Sequence, residues 1–244
     1  MKGFTLTDIG KVRSENQDCI RLILNTSPTF GVIVLCDGMG GARAGSIASD
    51  LAVRTFHTFL NENLSDKKNK EPLADLMLQA ACLANLAVFT RANEDADCAG
   101  MGTTLVAIAV KGRNSCVINV GDSRAYLISD GAITQITSDH SYVEDMVRKG
   151  LITREQAAIH PRRNIITRVL GVDEAVECDI FTPTVKKGDI LLLCSDGLSN
   201  TLSDKEILEI SKKSKSLREI SKMLVDLSLT RGAPDNVTVG LLQR

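Results

Sequence analysis

The sequence predicts an α+β layered sandwich of mostly antiparallel strands, with helices inserted in pairs between strand groups. Three observations carry this. Short, wholly apolar runs such as Val32-Ile33-Val34-Leu35-Cys36 recur along the chain. Several of the runs that follow are joined by tight-turn chemistry, and longer segments with helical spacing of apolar residues arrive in pairs.

In chain order, residues 4–8 and 19–24 read as strands around the polar segment 10–18. The run ending at Cys36 reads as a strand buried on both faces. It meets Asp37 and then Gly38-Met39-Gly40-Gly41, which reads as a turn where main chain lies bare. Ala44, Ile47, Ala48 and Leu51 then set a helix over about 44–62, and 61–70 is a Lys-rich loop. Pro72 suits a first helical position, opening a second helix to about residue 92. Residues 103–110 and 115–120 flank Lys111-Gly112-Arg113-Asn114, and 124–128 and 132–136 flank Ser129-Asp130-Gly131, a strong hairpin signal. Residues 141–171 break the pattern: two short helical pieces, 142–149 and 153–159, precede a basic stretch from His160 to Arg168. This is an insertion over one end of the sheets, and composition suits a binding segment and a solvated connector equally. Strands over 177–181 and 189–195, helices over 204–212 and 217–230, and a strand over 236–241 complete the chain. With no repeat and no linker, residues 1–244 are expected to form one domain.

A net charge of −1 and the absence of Trp argue against nucleic acid and anionic membranes as partners. No signal core opens the chain and no apolar run is expected to reach membrane-spanning length. Seven cysteines without a Cys-x-x-Cys pair, most of them inside apolar strands, fit reduced thiols in a cytoplasmic protein.

One pattern goes beyond packing. Asp37, Asp122, Asp196 and Asp235 each adjoin an apolar strand beside a small or turn-forming residue. A single Asp-Gly is an ordinary turn, and Asp130 is read as one. Four such ends meeting in space would require cations between them. With His scarce and Cys inside strands, the ligands would be oxygen only: carboxylates, a carbonyl such as that of Gly38, and water. That set selects Mg²⁺ or Mn²⁺. Two ions bridged by Asp37 would activate water for attack on phosphorus. Arg13 is the candidate for holding the phosphate, against the plain alternative of a surface arginine. Cys36 lacks an Arg six residues on, no Gly-x-Ser-x-Gly elbow exists, and the glycine run lacks the Lys of a P-loop.

Arg13-Ser14-Glu15-Asn16-Gln17-Asp18, Asp37-Gly38-Met39-Gly40-Gly41, Gly102-Thr103-Thr104, Asn119-Val120-Gly121-Asp122-Ser123-Arg124, Ser195-Asp196-Gly197-Leu198 and Asp235-Asn236-Val237-Thr238 stand in this order. In this the chain resembles, end to end, the bacterial type of the PPM (type 2C) metal-dependent Ser/Thr protein phosphatases. The resemblance implies a four-layer αββα sandwich and hydrolysis of phosphoserine and phosphothreonine by direct attack of a metal-activated water. It implies two Mn²⁺ or Mg²⁺ ions, with Asp37 bridging, the Gly38 carbonyl on one ion, and Asp196 and Asp235 on the other. Asp122 with Asp196 matches the holders of a third ion. Asp18 matches an acid that orients water, Arg13 the phosphate-binding arginine, and 141–171 the variable flap. The substrates implied are phosphoproteins, those of a cognate Ser/Thr kinase, and a monomer is expected. Met39 stands where eukaryotic relatives carry a His proposed as general acid, which leaves the proton donor unassigned. The rivals are a binding module that kept the fold without turnover and, more distantly, a serine-type hydrolase.

Overall fold

The computed structural model describes residues 1–26, 29–66 and 68–244. Its elements are β1 (Lys2–Asp8), β2 (Asp18–Thr26), β3 (Thr29–Met39), α1 (Gly41–Ser65), α2 (Leu73–Glu94), β4 (Gly102–Thr103), β5 (Leu105–Lys111), β6 (Asn114–Val120), β7 (Arg124–Ser129) and β8 (Ala132–Gln135). They continue with α3 (Tyr142–Arg148), α4 (Arg154–Ala158), β9 (Asp179–Phe181), β10 (Ile190–Cys194), α5 (Asp196–Ser199), α6 (Asp204–Ser211), α7 (Leu217–Thr230) and β11 (Val237–Gln243).

One sheet runs β1-β11-β10-β7-β8 and the other β2-β3-β5-β6-β9, with β4 added beside the end of β3. Every strand pairing among the described residues is antiparallel. The apolar runs are continuous because each strand has two dry faces. On β3, Ile33 and Leu35 pack with Leu191, Leu193 and Leu242 between the sheets, whereas Val32, Val34 and Cys36 pack against α1 and α2. On β10, Leu192 and Cys194 turn the other way, into the core made with α6 and α7. Three apolar layers therefore hold four layers of secondary structure, as the resemblance implied.

The first two helices run past their expected ends. α1 starts directly after Gly40, whose φ of 121° only glycine adopts freely, and continues to Ser65 into the expected loop. Lys67 of that loop lies outside the described residues. Pro72 is the residue capping α2 from outside rather than its first turn. By length and composition α2 is apolar enough to cross a membrane, contrary to expectation; in the fold Leu76, Met77, Ala80, Ala84 and Val88 are buried in the helix–sheet core. Ser203 and Glu206 cap α6 reciprocally, closing the N-terminus of that helix. All seven cysteines are free; Cys36, Cys98, Cys116 and Cys194 are buried and Cys82 is exposed.

Candidate metal centre

Asp37 continues the alternation of Ile33 and Leu35, so its side chain belongs to the inter-sheet face at the end of the sandwich. The expected turn after Asp37 is absent. Gly38 and Met39 stay in the strand because β4 pairs with them, Gly38 with Thr103 and Met39 with Gly102. The Asp37 main chain is fully engaged: its N–H donates to Thr104 Oγ1 at 2.9 Å, and its carbonyl accepts from Thr104 N–H at 2.9 Å and Thr103 Oγ1 at 2.8 Å. Gly38 lies where α1 crosses β3. A Cβ there would stand 2.0 Å from the Gly45 carbonyl oxygen, and a Cβ on Gly45 would stand 2.9 Å from the Gly38 carbonyl oxygen.

Asp18 is the register partner of Asp37 on β2. One of its oxygens accepts from Ser195 Oγ at 2.7 Å, and Ser195 Oγ in turn accepts from Thr238 N–H at 3.0 Å. The sheets are thus tied together beside the acids. Asp196 opens α5, with Asn200 Nδ2 donating to its Oδ2 at 3.1 Å. Arg13 Nη2 donates to Asp235 Oδ2 at 2.8 Å, while the guanidinium stays half-exposed. The loop carrying Arg13 is pinned by Asn236, whose Oδ1 accepts from Gln17 N–H at 2.8 Å and whose Nδ2 donates to the carbonyls of Ile9 and Glu15.

These acids are buried together. Asp18 and Asp122 are only 8% and 9% exposed. Burial, then the negative charges of Asp18, Asp196, Asp122 and Asp235, push Asp37 well above the usual carboxylate range. Burial lifts Asp18 to about 7 against the lowering effect of hydrogen bonds from Thr238 and Ser195. Burial lifts Asp122 to about 7 and Asp196 to about 6, with neighbouring Asp charges adding to both. Oδ1 of Asp18, of Asp122 and of Asp196 is buried with no hydrogen-bond partner. Unpaired buried anionic oxygens in such numbers fit a hard cation. Among the described residues no three His, Cys, Asp or Glu side chains already surround one point at ligand distance. An ion here would take much of its shell from water and main-chain carbonyl, the habit of Mg²⁺ and Mn²⁺.

All of Arg13, Asp18, Asp37, Gly38, Asp122, Asp196 and Asp235 fall in this one region. Asp130 does not: it sits at a turn with φ 51° and pairs with Lys186. Thr103, Thr104, Ser195, Thr238 and Asn236 stand in the motifs quoted from the sequence, but their supporting hydrogen bonds were not foreseen there. Their signal was available, small polar residues next to Asp in otherwise apolar strands. Segment 141–171 is anchored beside the acids through a bridge of Thr103 with Leu170, and a bridge of Ser141 with Ile166 closes the segment on itself. Arg162 stacks over the Tyr142 ring at 4.9 Å within it.

Comparison with known proteins fits this geometry. The profile of the protein phosphatase 2C family matches residues 11–229. The chain is 37% identical over 238 residues to a serine/threonine phosphatase stp of Listeria monocytogenes, covering 98% of this chain and 94% of that protein. It superposes on the S. agalactiae serine/threonine phosphatase with a TM-score of 0.88 at 38% identity, covering 98% of both chains. It also superposes, at TM-score 0.85 and 35% identity, on the catalytic domain of the serine threonine protein phosphatase PstP in complex with 2 manganese ions, over 98% of this chain and 96% of that one. Fold, motif order and likeness over nearly the whole length agree, and the chain belongs to the protein phosphatase 2C family.

Proposed function

We propose that Asp37, the Gly38 carbonyl, Asp196 and Asp235 hold two Mn²⁺ or Mg²⁺ ions at the open end of the inter-sheet layer, with a third ion position at Asp122 and Asp196. Family membership makes the reaction a metal-dependent hydrolysis of phosphoserine and phosphothreonine, and so makes phosphoproteins the substrates. The observation that carries the metal reading is the set of buried, unpartnered Asp oxygens. When bound, such ions acidify a water and neutralise charge that builds on phosphoryl oxygens.

The protein's own groups then have distinct tasks. Arg13, steadied by Asp235, turns its remaining N–H groups to the phosphate oxygens, where a planar fork binds in two-point fashion. Asp18, held by Ser195 and facing the cluster from β2, accepts a hydrogen bond from the attacking water and orients it. Thr103 and Thr104 immobilise the Asp37 main chain, so the carboxylate has little freedom to follow an ion out of place. Met39, exposed at the end of β3, has no proton to give the leaving oxygen. Water attacks directly in this reading, and no phospho-enzyme forms. In this reading the enzyme is a cytoplasmic monomer that reverses a cognate Ser/Thr kinase.

Turnover of a small aryl phosphate with and without Mn²⁺ tests the proposal. Activity should vanish in excess EDTA and return with Mn²⁺; activity that persists in EDTA would end the metal scheme.

A further inference from the structure

Four successive residues between β8 and α3 grip the loop that carries Asp122. Thr137 Oγ1 accepts from Ala125 N–H at 3.1 Å, and the Ser138 carbonyl accepts from Asn119 Nδ2 at 3.2 Å. Asp139 takes Arg124 through Nε and Nη2, the shortest contact being 2.7 Å. His140 is bonded twice to Gly121: its N–H donates to the Gly121 carbonyl at 2.9 Å, and its Nδ1 accepts from Gly121 N–H at 3.0 Å. Gly121 has a φ of 112°, and a Cβ there would lie 2.6 Å from Thr104 Cγ2. The residue before Asp122 is thus confined on one side by Thr104 and on the other by an imidazole.

A main-chain N–H can only donate, so Nδ1 is bare and the ring hydrogen sits on Nε2. Nε2 faces Asp179 Oδ2 at 3.1 Å. The other Asp179 oxygen accepts from Arg168 Nη1 at 2.9 Å, and Arg168 Nη2 donates to Glu177 at 3.0 Å. Arg168 lies at the end of the 141–171 segment, where Thr167 N–H also donates to the His140 carbonyl at 2.8 Å. One buried ring therefore touches the Asp122 loop, β9 and the flap at once.

We propose that His140 is a positioning residue for Asp122: by holding Gly121 through Nδ1 it fixes where the Asp122 carboxylate stands, and through Asp179 and Arg168 it couples that position to the flap. The inference rests on the reading of Asp122 as part of the metal site. It places no atom of His140 on the phosphate. Loss of such outer support costs about 10–100-fold in metal affinity where it has been measured.

The test compares wild type, His140→Ala, His140→Asn, Asp122→Asn and the His140→Ala/Asp122→Asn double variant. Readouts are Mn²⁺ uptake by calorimetry, and kcat and KM on an aryl phosphate. In His140→Ala the weakest Mn²⁺ step should weaken by about 10–100-fold, and kcat should fall with KM unchanged. His140→Asn keeps an acceptor near the Nδ1 position and should restore most of the loss. In the Asp122→Asn background, His140→Ala should add nothing, because the two act through one element. If His140→Ala does not fold, His140→Gln replaces it: that side chain reaches Asp179 but offers Gly121 no acceptor, and it should show the full loss. Wild-type Mn²⁺ uptake in the variant lacking the Gly121 acceptor, or additive effects in the double variant, would overturn the proposal. Equal Mn²⁺ uptake by wild type and Asp122→Asn would instead show that the underlying metal reading had failed, taking this inference with it.

Discussion

Two sets of acids stand side by side at one end of the sandwich and have opposite electrostatics. Asp139 and Asp179 face cations: Arg124 grips Asp139 in a fork, and Arg168 with His140 holds Asp179. Burial raises Asp179, but those partners outweigh it and its carboxyl lies below the ordinary range. Asp18, Asp37, Asp122 and Asp196 are every one raised, first by burial and then by the charges of neighbouring acids. Asp139 and Asp18 are both largely buried carboxylates, so burial alone does not separate the sets. The partner does. Asp18, Asp122 and Asp196 each keep a buried oxygen without a hydrogen-bond partner, whereas Asp139 and Asp179 close on arginines of the chain.

The comparison can be broken most forcefully at its unpaired side. Asp37→Asn and Asp196→Asn should each lower kcat by at least about 10²–10³-fold, by analogy with the loss of one charge-stabilising group, with circular dichroism and melting intact. Full activity in either variant would contradict the cation scheme. At the paired side the effect should be the reverse in kind. Asp139→Asn strands the largely buried Arg124 and should cost about 3 kcal/mol of stability by denaturant titration. A variant as stable as wild type would show that the fork does not hold the loop.

A gentler test is pH. The four raised acids bind more protons folded than unfolded between about pH 4 and pH 7, so metal-free stability should fall as pH rises through that window. Mn²⁺ competes with those protons, so its affinity and its stabilising effect should grow over the same window. Melting curves with EDTA and with Mn²⁺ would check both slopes; parallel curves would refute the competition. The smallest effect is expected at Asp130, an exposed turn acid paired with Lys186. Asp130→Asn should leave kcat and Mn²⁺ uptake unchanged within error, and a change in either would mean the two kinds of Asp had been wrongly divided.

Much of this was legible beforehand, for reasons that differ by residue. The run Val32 to Cys36 announces itself because both its faces are dry, which leaves no polar position to blur the pattern. The hairpin at Asp130-Gly131 is local chemistry, and so is the end of β7. The extension of β3 through Gly38 was hidden, because the partner that keeps it extended is Gly102–Thr103, more than sixty residues away. Asp196-Gly197 likewise opens a helical turn where a strand-end turn was expected. The supporting roles of Thr104, Ser195 and His140 depend on contacts across 67, 177 and 19 residues, which no local pattern encodes.

Alternation and turn chemistry act between near neighbours, so the chain's own order of residues determined where strands, helices and acidic strand ends would lie. Which acids lack a cation was decided only by tertiary packing, because a charge feels whatever the fold brings near it. Asp122 and Asp139 are indistinguishable as residue types; the surroundings that folding supplies leave one carboxylate with a bare oxygen and close the other on an arginine.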